Sequence, residues 1–335
     1  MKDEQKKNKG ITLIALIITV VVLLILAGVT ISTLTGDNGL LSKANEAKTE
    51  TEKSAIREEI DLLLLQAKMG DKIEDIFKEG TVTKDGTVYE VSYKGNDFLL
   101  SDENEYIEKV EPAYEGEWTF NQSTQTLTAY NGDLTTKRGN QEIGEVIIPN
   151  YYNGKRVKKM GDFLFYNNEN ISNIKISEGI EDINNYCLSG CINIKGNLVI
   201  PNSVIKIERY AFNGCTSLDG ELKLSKNLET IGESAFIYCS KLRGDLIIPD
   251  NVISVGGSAF KGCSSLDGKI KLGNKLERIG SNAFDGVNKI TGDLIIPNSV
   301  VSIGQQAFLN CASLTGNLKL SQNLQTIGRI SFYEL

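Results

Sequence analysis

The chain has 335 residues, enough for two or three folding units, and a net charge of -7 from 36 Lys and Arg against 43 Asp and Glu. It contains no histidine, so it lacks the most common general base, the most common metal ligand and the usual pH switch near neutrality. The G-x-S-x-G, H-E-x-x-H and phosphate-binding loop motifs are also absent from the sequence. We therefore predict a protein that is not an enzyme and needs no cofactor or metal.

The charge is unevenly distributed along the chain. Residues 32–112 carry 10 Lys and Arg against 19 Asp and Glu, whereas residues 113–335 carry 22 of each. Proteins that bind nucleic acid usually present a basic surface, because phosphate contacts dominate their affinity. The sequence therefore predicts no nucleic-acid partner.

An uncharged segment follows the polar, lysine-rich residues 1–10, which we interpret as a leader or a cytoplasmic stub. The run from Ile11 to Ile31 has 21 residues without a charge. At about 1.5 Å per helical residue it is long enough to cross a bilayer core of about 30 Å. Lys6, Lys7 and Lys9 precede it, so the positive-inside rule places the N-terminus in the cytoplasm. The sequence predicts a single-pass transmembrane helix over 11–31 with the remaining chain outside the cell.

The start of this segment, Lys9 to Ile14 (KGITLI), resembles the type IV prepilin leader, in which a peptidase cuts after Gly and the new N-terminus is methylated. The resemblance implies a cut between Gly10 and Ile11. Family members usually have Phe where this chain has Ile11 and Glu where it has Ala15, and the missing carboxylate disfavours assembly into a pilus. A processed pilin-like anchor and a plain uncleaved anchor both remain open.

The next two segments are acidic. Residues 32–69 predict an amphipathic helix or stalk, because their apolar positions mostly recur at spacings of three and four. Residues 70–112 predict a small α+β segment with a short helix near Ile73 to Phe77 and strands at Thr87–Tyr93 and Asp97–Leu100. So short a segment makes a thin core, and we expect it to pack on the preceding helix.

Residues 113–165 predict a β-rich cap for the array that follows. Strands are expected at Trp118–Phe120, Thr126–Tyr130 and Glu145–Pro149. A solenoid needs such a cap because its first core face would otherwise contact water. A basic cluster, Lys155 to Lys159, invites two interpretations: binding of an anionic polymer, or charges that protect an exposed edge, which we favour.

Residues 166–335 repeat with a period of about 24 residues. One column contains phenylalanines at that spacing, namely Phe212, Phe236, Phe260, Phe284, Phe308 and Phe332. Another contains small apolar groups, namely Cys191, Cys215, Cys239, Cys263, Val287 and Cys311. A fixed period in this range predicts a solenoid in which stacked units share one core. The motif resembles the BspA-type leucine-rich repeat family of bacterial surface proteins, which implies a right-handed α/β-type coil that is mostly β and irregular.

The cysteine column predicts buried, reduced thiols. Stacked strands lie about 4.7 to 4.9 Å apart with parallel side chains. A disulfide requires Cβ atoms nearer 3.8 Å and a torsion near a right angle, so neighbouring members of the column are poorly placed to form one. Val287 in the same column also indicates a site for a small apolar group.

Alternate repeats differ, which predicts a cassette of two units. Every second unit carries a proline (LVIPNSV, LIIPDNV, LIIPNSV), and the units between do not (LKLSKNL, IKLGNKL, LKLSQNL). Because side chains alternate along a strand, the central residue of each L-x-[IL] triplet points outward. This gives a candidate ligand-binding stripe of six residues: Val199, Lys223, Ile247, Lys271, Ile295 and Lys319. The alternative is that these residues only keep parallel strands soluble and in register.

The resemblance implies a membrane-anchored binding or adhesion protein on a bacterial cell surface, with a host matrix or cell-surface protein or glycan as its ligand. The alternative is a minor type IV pilin or a pseudopilin-like component of a filament or secretion system. The sequence stops at Leu335, three residues after the last phenylalanine of the column, Phe332, and shows no polar closing helix. Three alternatives remain open for this end of the solenoid: a partner covers it, a second copy covers it through self-association, or the sequence continues.

Overall fold

The computed structural model divides into two units, Met1–Lys78 and Glu79–Leu335. It describes residues 72–334, apart from 87, 95, 102–105, 113–115 and 138–141, together with helical positions 56, 59, 60 and 62–64. Gly10, Ile11 and the predicted membrane segment 11–31 lie outside the described residues. Among the residues that the structure describes, no helix is long and apolar enough to cross a membrane.

The first unit is described at its C-terminal end only. Ile60 and Leu64 are buried and Leu62 is exposed, as one apolar face of a helix requires. A four-residue helix, Ile73–Ile76, follows where the sequence predicted a short one. Its first turn carries Glu74 and Asp75, which interact favourably with the positive end of the helix dipole.

The second unit begins with a four-stranded antiparallel sheet in the order β1-β2-β3-β4. Its strands are β1 Thr81–Asp85, β2 Val88–Tyr93, β3 Asn96–Ser101 and β4 Tyr106–Ile107. Its small core contains Val88, Leu99 and Ile107, and Tyr151 from the following segment packs against it. The predicted segment 70–112 is thus divided between the two units, and its strands belong to the same unit as the repeats.

A hairpin then covers the first coil of the solenoid. Strands β5 Trp118–Asn121 and β6 Thr126–Tyr130 are antiparallel, and β6 pairs in parallel with β10 Lys159–Met160 of the first coil. The Trp118 ring lies 4.7 Å from that of Tyr130 and 5.9 Å from that of Phe165. Aromatic pairs at such distances stabilise beyond their buried area. The predicted strands of the cap are therefore present and close the apolar end of the array.

Each coil contributes one strand to a continuous ten-stranded sheet that begins at the β5–β6 hairpin. Its other members are β10 Lys159–Met160, β12 Asp182–Ile183, β14 Lys206–Ile207, β16 Thr230–Ile231, β18 Ser254–Val255, β20 Arg278–Ile279, β22 Ser302–Ile303 and β24 Thr326–Ile327. All of these strands are parallel, and their register advances by one repeat per strand.

The second strand of each coil lies on another side of the solenoid, which we call the stripe face. Its strands are β7 Glu145–Ile148, β11 Asn173–Ile176, β13 Leu198–Val199, β15 Leu222–Lys223, β17 Leu246–Ile247, β19 Ile270–Lys271, β21 Leu294–Ile295 and β23 Leu318–Lys319. A separate short hairpin is formed by β8 Tyr151–Tyr152 and β9 Lys155–Arg156. Unlike the continuous sheet, the stripe face is divided into two-stranded pieces, β7–β11, β13–β15, β17–β19 and β21–β23.

The core contains a column of stacked phenylalanine rings, which confirms the predicted solenoid, and the solenoid has about eight turns. Successive rings from Phe212 to Phe332 lie 5.0 to 5.7 Å apart and within 13° of parallel. The rings from Phe212 to Phe308 are almost completely buried. Among the described residues after Lys78 the coils contain strands and turns without helices. The expectation of a mostly β coil is therefore correct, whereas the α/β alternation is not present.

Candidate ligand-binding surface

The structure places the six residues of the predicted stripe in one exposed row. Within each cassette an apolar residue is the register partner of a lysine: Val199 of Lys223, Ile247 of Lys271, and Ile295 of Lys319. The apolar members are 50% to 54% exposed, although their strand neighbours Leu198, Leu246 and Leu294 are buried. Single exposed apolar residues are common on protein surfaces, but these three recur in one row at every second coil.

A groove crosses the middle of this row. It lies between the first cassette, whose stripe-face strands are β13 and β15, and the second, whose strands are β17 and β19. It has a volume of about 820 Å³. Stripe residues Lys223, Ile247 and Lys271 line it, together with Pro249 and the edge of Leu224. The groove is therefore part of the predicted binding surface, and sequence reasoning did not find it.

The groove exists because hydrogen bonding on the stripe face stops between cassettes. Within the first cassette, the N–H groups of Leu198 and Ile200 donate to Glu221 and Lys223 carbonyls at 2.9 and 2.8 Å. Between β15 and β17, in contrast, the strands do not pair. The two coils are joined by an isolated bridge between Glu221 and Arg243 and by the Asn251 side chain, which donates to the Lys226 carbonyl at 3.0 Å. The second coil enters through Gly244 at φ +78°, a conformation that L side chains rarely adopt.

The row beside the stripe holds each cassette together. Asn197, Asp245 and Asp293 each accept a hydrogen bond at Oδ1 from the backbone N–H of the coil that follows, at 2.9, 2.7 and 2.7 Å. The corresponding residues in the alternate coils are Glu221, Lys269 and Asn317, which supply those donors. We call Asn197, Asp245 and Asp293 the clamp residues. They explain why the sequence alternates in this row.

The ammonium groups of the stripe lysines form none of the ion pairs seen elsewhere in the array. Lys175 pairs with Glu145 at 2.7 Å and Lys261 with Asp285 at 2.9 Å. Lys223, Lys271 and Lys319 are exposed, and the described residues provide none of their ammonium groups with an ion pair or hydrogen bond. Their ammonium groups are therefore available to a ligand.

The basic cluster of the cap is not an exposed edge, which corrects the interpretation favoured above. Arg156 is 4% exposed and contacts Asp85 and Glu181 at 3.0 and 2.8 Å, and Lys158 is also bonded to Asp85. Burial raises the pKa of Glu181, and the charges of Arg156 and Lys158 partly offset that effect. These pairs attach the β1–β4 sheet to the solenoid. The sequence could not show this, because the partners are more than 60 residues apart.

The cysteine column offers no reactive group. All six thiols are buried and free, as predicted, and those of Cys239, Cys263 and Cys311 donate to the Phe212, Phe236 and Phe284 carbonyls at 3.1 to 3.2 Å. Burial raises the pKa of Cys191 and of Cys311 to about 12. A nucleophilic cysteine needs a lowered pKa and access to solvent. The described residues also contain no group of three side chains that could hold a metal ion.

An aromatic row at the start of the array was not identified from the sequence. The rings of Phe163, Tyr186 and Tyr210 stack 5.0 and 4.8 Å apart, and Phe163 is half exposed. The spacing of these residues, close to the repeat length, was the available signal. Their backbones have positive φ, as do Ser234, Ser258, Asn282, Gln306 and Ile330 at the same position of the later coils, so this conformation belongs to the coil and does not require the rings.

The repeat pattern matches a known family model. The model of the BspA type leucine rich repeat region, with 6 copies, matches residues 139–266 and 244–335, which together are more than half of the chain. The chain belongs to the BspA-type leucine-rich repeat family. The family match does not include the prepilin-like junction at Gly10 and Ile11. No curated protein matches the chain.

Solved structures of other bacterial leucine-rich repeat proteins are similar to this BspA-type chain. The T. pallidum leucine-rich repeat protein TpLRR has a TM-score of 0.51 and 21% identity, over 61% of this chain and 89% of its own. A leucine rich cell surface protein from Faecalibacterium prausnitzii has a TM-score of 0.31 and 19% identity, over 76% of this chain and 80% of its own. The pneumococcal vaccine antigen PcpA has a TM-score of 0.31 and 15% identity, over 73% of this chain and 82% of its own. The first similarity supports the fold, and none of the three assigns a ligand.

Proposed function

We propose that this protein is a non-enzymatic binding or adhesion protein, displayed outside a bacterial cell, that attaches to a host matrix or cell-surface molecule through the stripe. The observation that carries the proposal is the exposed row of alternating apolar residues and lysines on stacked strands. Repeat proteins commonly bind through such extended faces. Membership of the BspA-type family supports a binding role, because these solenoids are generally binding proteins.

The composition of the row favours binding over simple solubility. A solvated sheet face needs charges but has no need of half-exposed Val199, Ile247 and Ile295. A ligand can remove the apolar groups from water, and the unpaired ammonium groups beside them can attract its anionic groups. The continuous sheet provides a comparison within the molecule, because its outward residues are polar or charged, as at Lys206, Thr230 and Arg278.

Reversal of the three stripe lysines tests this function. We expect the triple variant Lys223→Glu, Lys271→Glu and Lys319→Glu to weaken adhesion to immobilised matrix proteins and cell-surface glycans at least about tenfold, because each lost contact is worth about 0.2 to 1 kcal/mol and repulsion adds to the loss. The matched control reverses the exposed lysines 206, 241 and 289, which lie away from the stripe and give the same net charge. An equal loss of adhesion in both variants would contradict the proposal.

The anchor is a second part of the proposal. The uncharged run 11–31 supports attachment to the cell membrane, with the N-terminus in the cytoplasm. We expect the full-length protein to remain in the membrane fraction after a high-salt wash and to be cleaved by protease added to intact cells. N-terminal sequencing of that protein distinguishes the two anchors, because a start at Ile11 indicates cleavage after Gly10. Release of the uncleaved protein by salt would rule out a membrane span.

A further inference from the structure

The stripe lysines recur with the period of the cassette. Lys223, Lys271 and Lys319 occupy every second coil. Neighbouring coils are 5.0 to 5.7 Å apart at the phenylalanine rings, and on the stripe face strands pair only within a cassette, so two coils span at least roughly 10 Å between successive lysines. The surface therefore carries three cations that recur with a period of two coils.

The coil between two lysines carries an apolar residue in the same row. Ile247 lies between Lys223 and Lys271, and Ile295 lies between Lys271 and Lys319. Both are half exposed. A complementary ligand accordingly alternates an anionic unit with an uncharged unit that has an apolar face, and each unit spans about one coil.

Carboxylates flank the row, and Glu221 lines the groove with them, so the positive charge of this surface is confined to the row of lysines. The Oδ1 atoms of Asp245 and Asp293 accept backbone N–H groups at 2.7 Å, which fixes them at the side of the strand. Asp250, at the far end of the groove, accepts from the N–H of Asn274 at 3.0 Å. These carboxylates are held by the protein, whereas the three lysines extend into solvent from the centre of the strands.

We propose that the stripe binds an extended acidic polysaccharide in which every second sugar carries a carboxylate or sulfate, with its chain parallel to the solenoid axis. Each anionic sugar lies against a lysine, and each neutral sugar lies with its C–H face on Val199, Ile247 or Ile295. The repeat of an extended disaccharide is close to the distance that two coils span. This inference rests on the proposed function of the stripe and specifies its ligand.

An acidic peptide fits this row less well. Side chains on one face of an extended strand recur about every 6.7 Å or its multiples, and neither one nor two such steps equals the lysine spacing. A polyproline II helix repeats about every 9.3 Å, so it falls roughly 2 Å short over three lysines. Both peptide conformations therefore match the period of two coils less closely than a polysaccharide with that repeat.

The test uses the full-length protein and polymers of defined length. The probes are hyaluronan fragments, which carry one carboxylate per disaccharide, poly-glutamate of equal total charge, and neutral dextran. We expect hyaluronan affinity to rise with fragment length until the fragment carries three charges in register, and then to increase only slowly. Lys271→Glu, at the centre of the row, should lower that affinity at least about tenfold and abolish the length dependence, because the remaining lysines then act separately.

Three results would overturn the inference. They are equal affinity for poly-glutamate and hyaluronan of matched charge, an equal loss in the control variant Lys241→Glu, and hyaluronan affinity that does not depend on fragment length. Failure of the inference is separable from failure of the proposed function. If stripe reversal abolishes adhesion to a matrix protein while no acidic polysaccharide binds the wild-type chain, the stripe remains a binding surface and only the ligand class is wrong.

Discussion

At the scale of single residues, each column of the repeat is selected by one packing requirement. The thiol of a column cysteine occupies a small apolar space and donates to the carbonyl of the preceding coil, as Cys263 does to Phe236 at 3.2 Å. Val287 fills the same space and is completely buried. Shape is therefore the main requirement, and the weak thiol hydrogen bond contributes less.

The buried thiols should make the free energy of unfolding depend on pH in the alkaline range. The pKa of Cys311 is raised from 9.0 to about 12, so the unfolded chain releases this proton at lower pH than the folded chain does. Between pH 9.0 and about 12 the free energy of unfolding should therefore decrease, by up to about 1.4 kcal/mol per pH unit for this thiol. Urea denaturation at several pH values measures this slope.

The matched control for that prediction is Cys311→Val, because the column already accepts Val287. This variant should lose the Cys311 part of the slope and should keep its stability at pH 7 within about 1.5 kcal/mol. Identical slopes in the variant and the wild-type protein would show that the thiol does not contribute.

At the scale of single elements, the coils alternate between two designs. Proline-containing coils enter through a glycine at positive φ, such as Gly244, and the alternate coils enter through a glycine such as Gly268 that packs closely against the coil before it. A Cβ at position 268 would lie 2.6 Å from the Asp245 nitrogen and 2.7 Å from the Gly244 carbonyl carbon. The two strands of a cassette can therefore approach only because this residue has no side chain.

Gly268→Ala should accordingly destabilise the protein by about 1 to 3 kcal/mol, because the added methyl group pushes the two coils apart and weakens the Asp245 clamp. Gly257→Ala is the control, since its Cβ would lie 3.3 Å from its nearest neighbour and its φ is not positive. Thermal or urea unfolding measures both. A loss as large for Gly257→Ala as for Gly268→Ala would argue against close packing as the cause.

At the scale of the whole molecule, the unit of construction is the cassette of two coils. On the stripe face, strands pair within a cassette. The continuous sheet and the phenylalanine column join neighbouring cassettes to each other. Stability in such arrays is approximately a sum of unit terms and nearest-neighbour terms. The array should therefore tolerate a change in the number of cassettes better than a change that breaks their alternation.

Two deletions test this organisation. Removal of residues 222–269 takes out one complete repeat of the alternation, and removal of 222–245 leaves two proline-containing coils adjacent. We expect the longer deletion to fold with one cooperative transition and a smaller urea m-value, in proportion to the lost buried surface. The shorter deletion should be no more stable, although it retains one coil more, because that coil has no clamped partner. Greater stability of the shorter deletion would contradict the cassette.

The sequence by itself determined the solenoid, its period, its reduced cysteines and the outward row. One residue type in each column repeats at a constant spacing, and in-register stacking is the arrangement that buries all of these columns together. The tertiary structure decided the rest. The attachment of the β1–β4 sheet through Arg156, Asp85 and Glu181 depends on contacts between residues distant in sequence, and the groove between β15 and β17 depends on which neighbouring strands pair; the columns of the repeat encode neither.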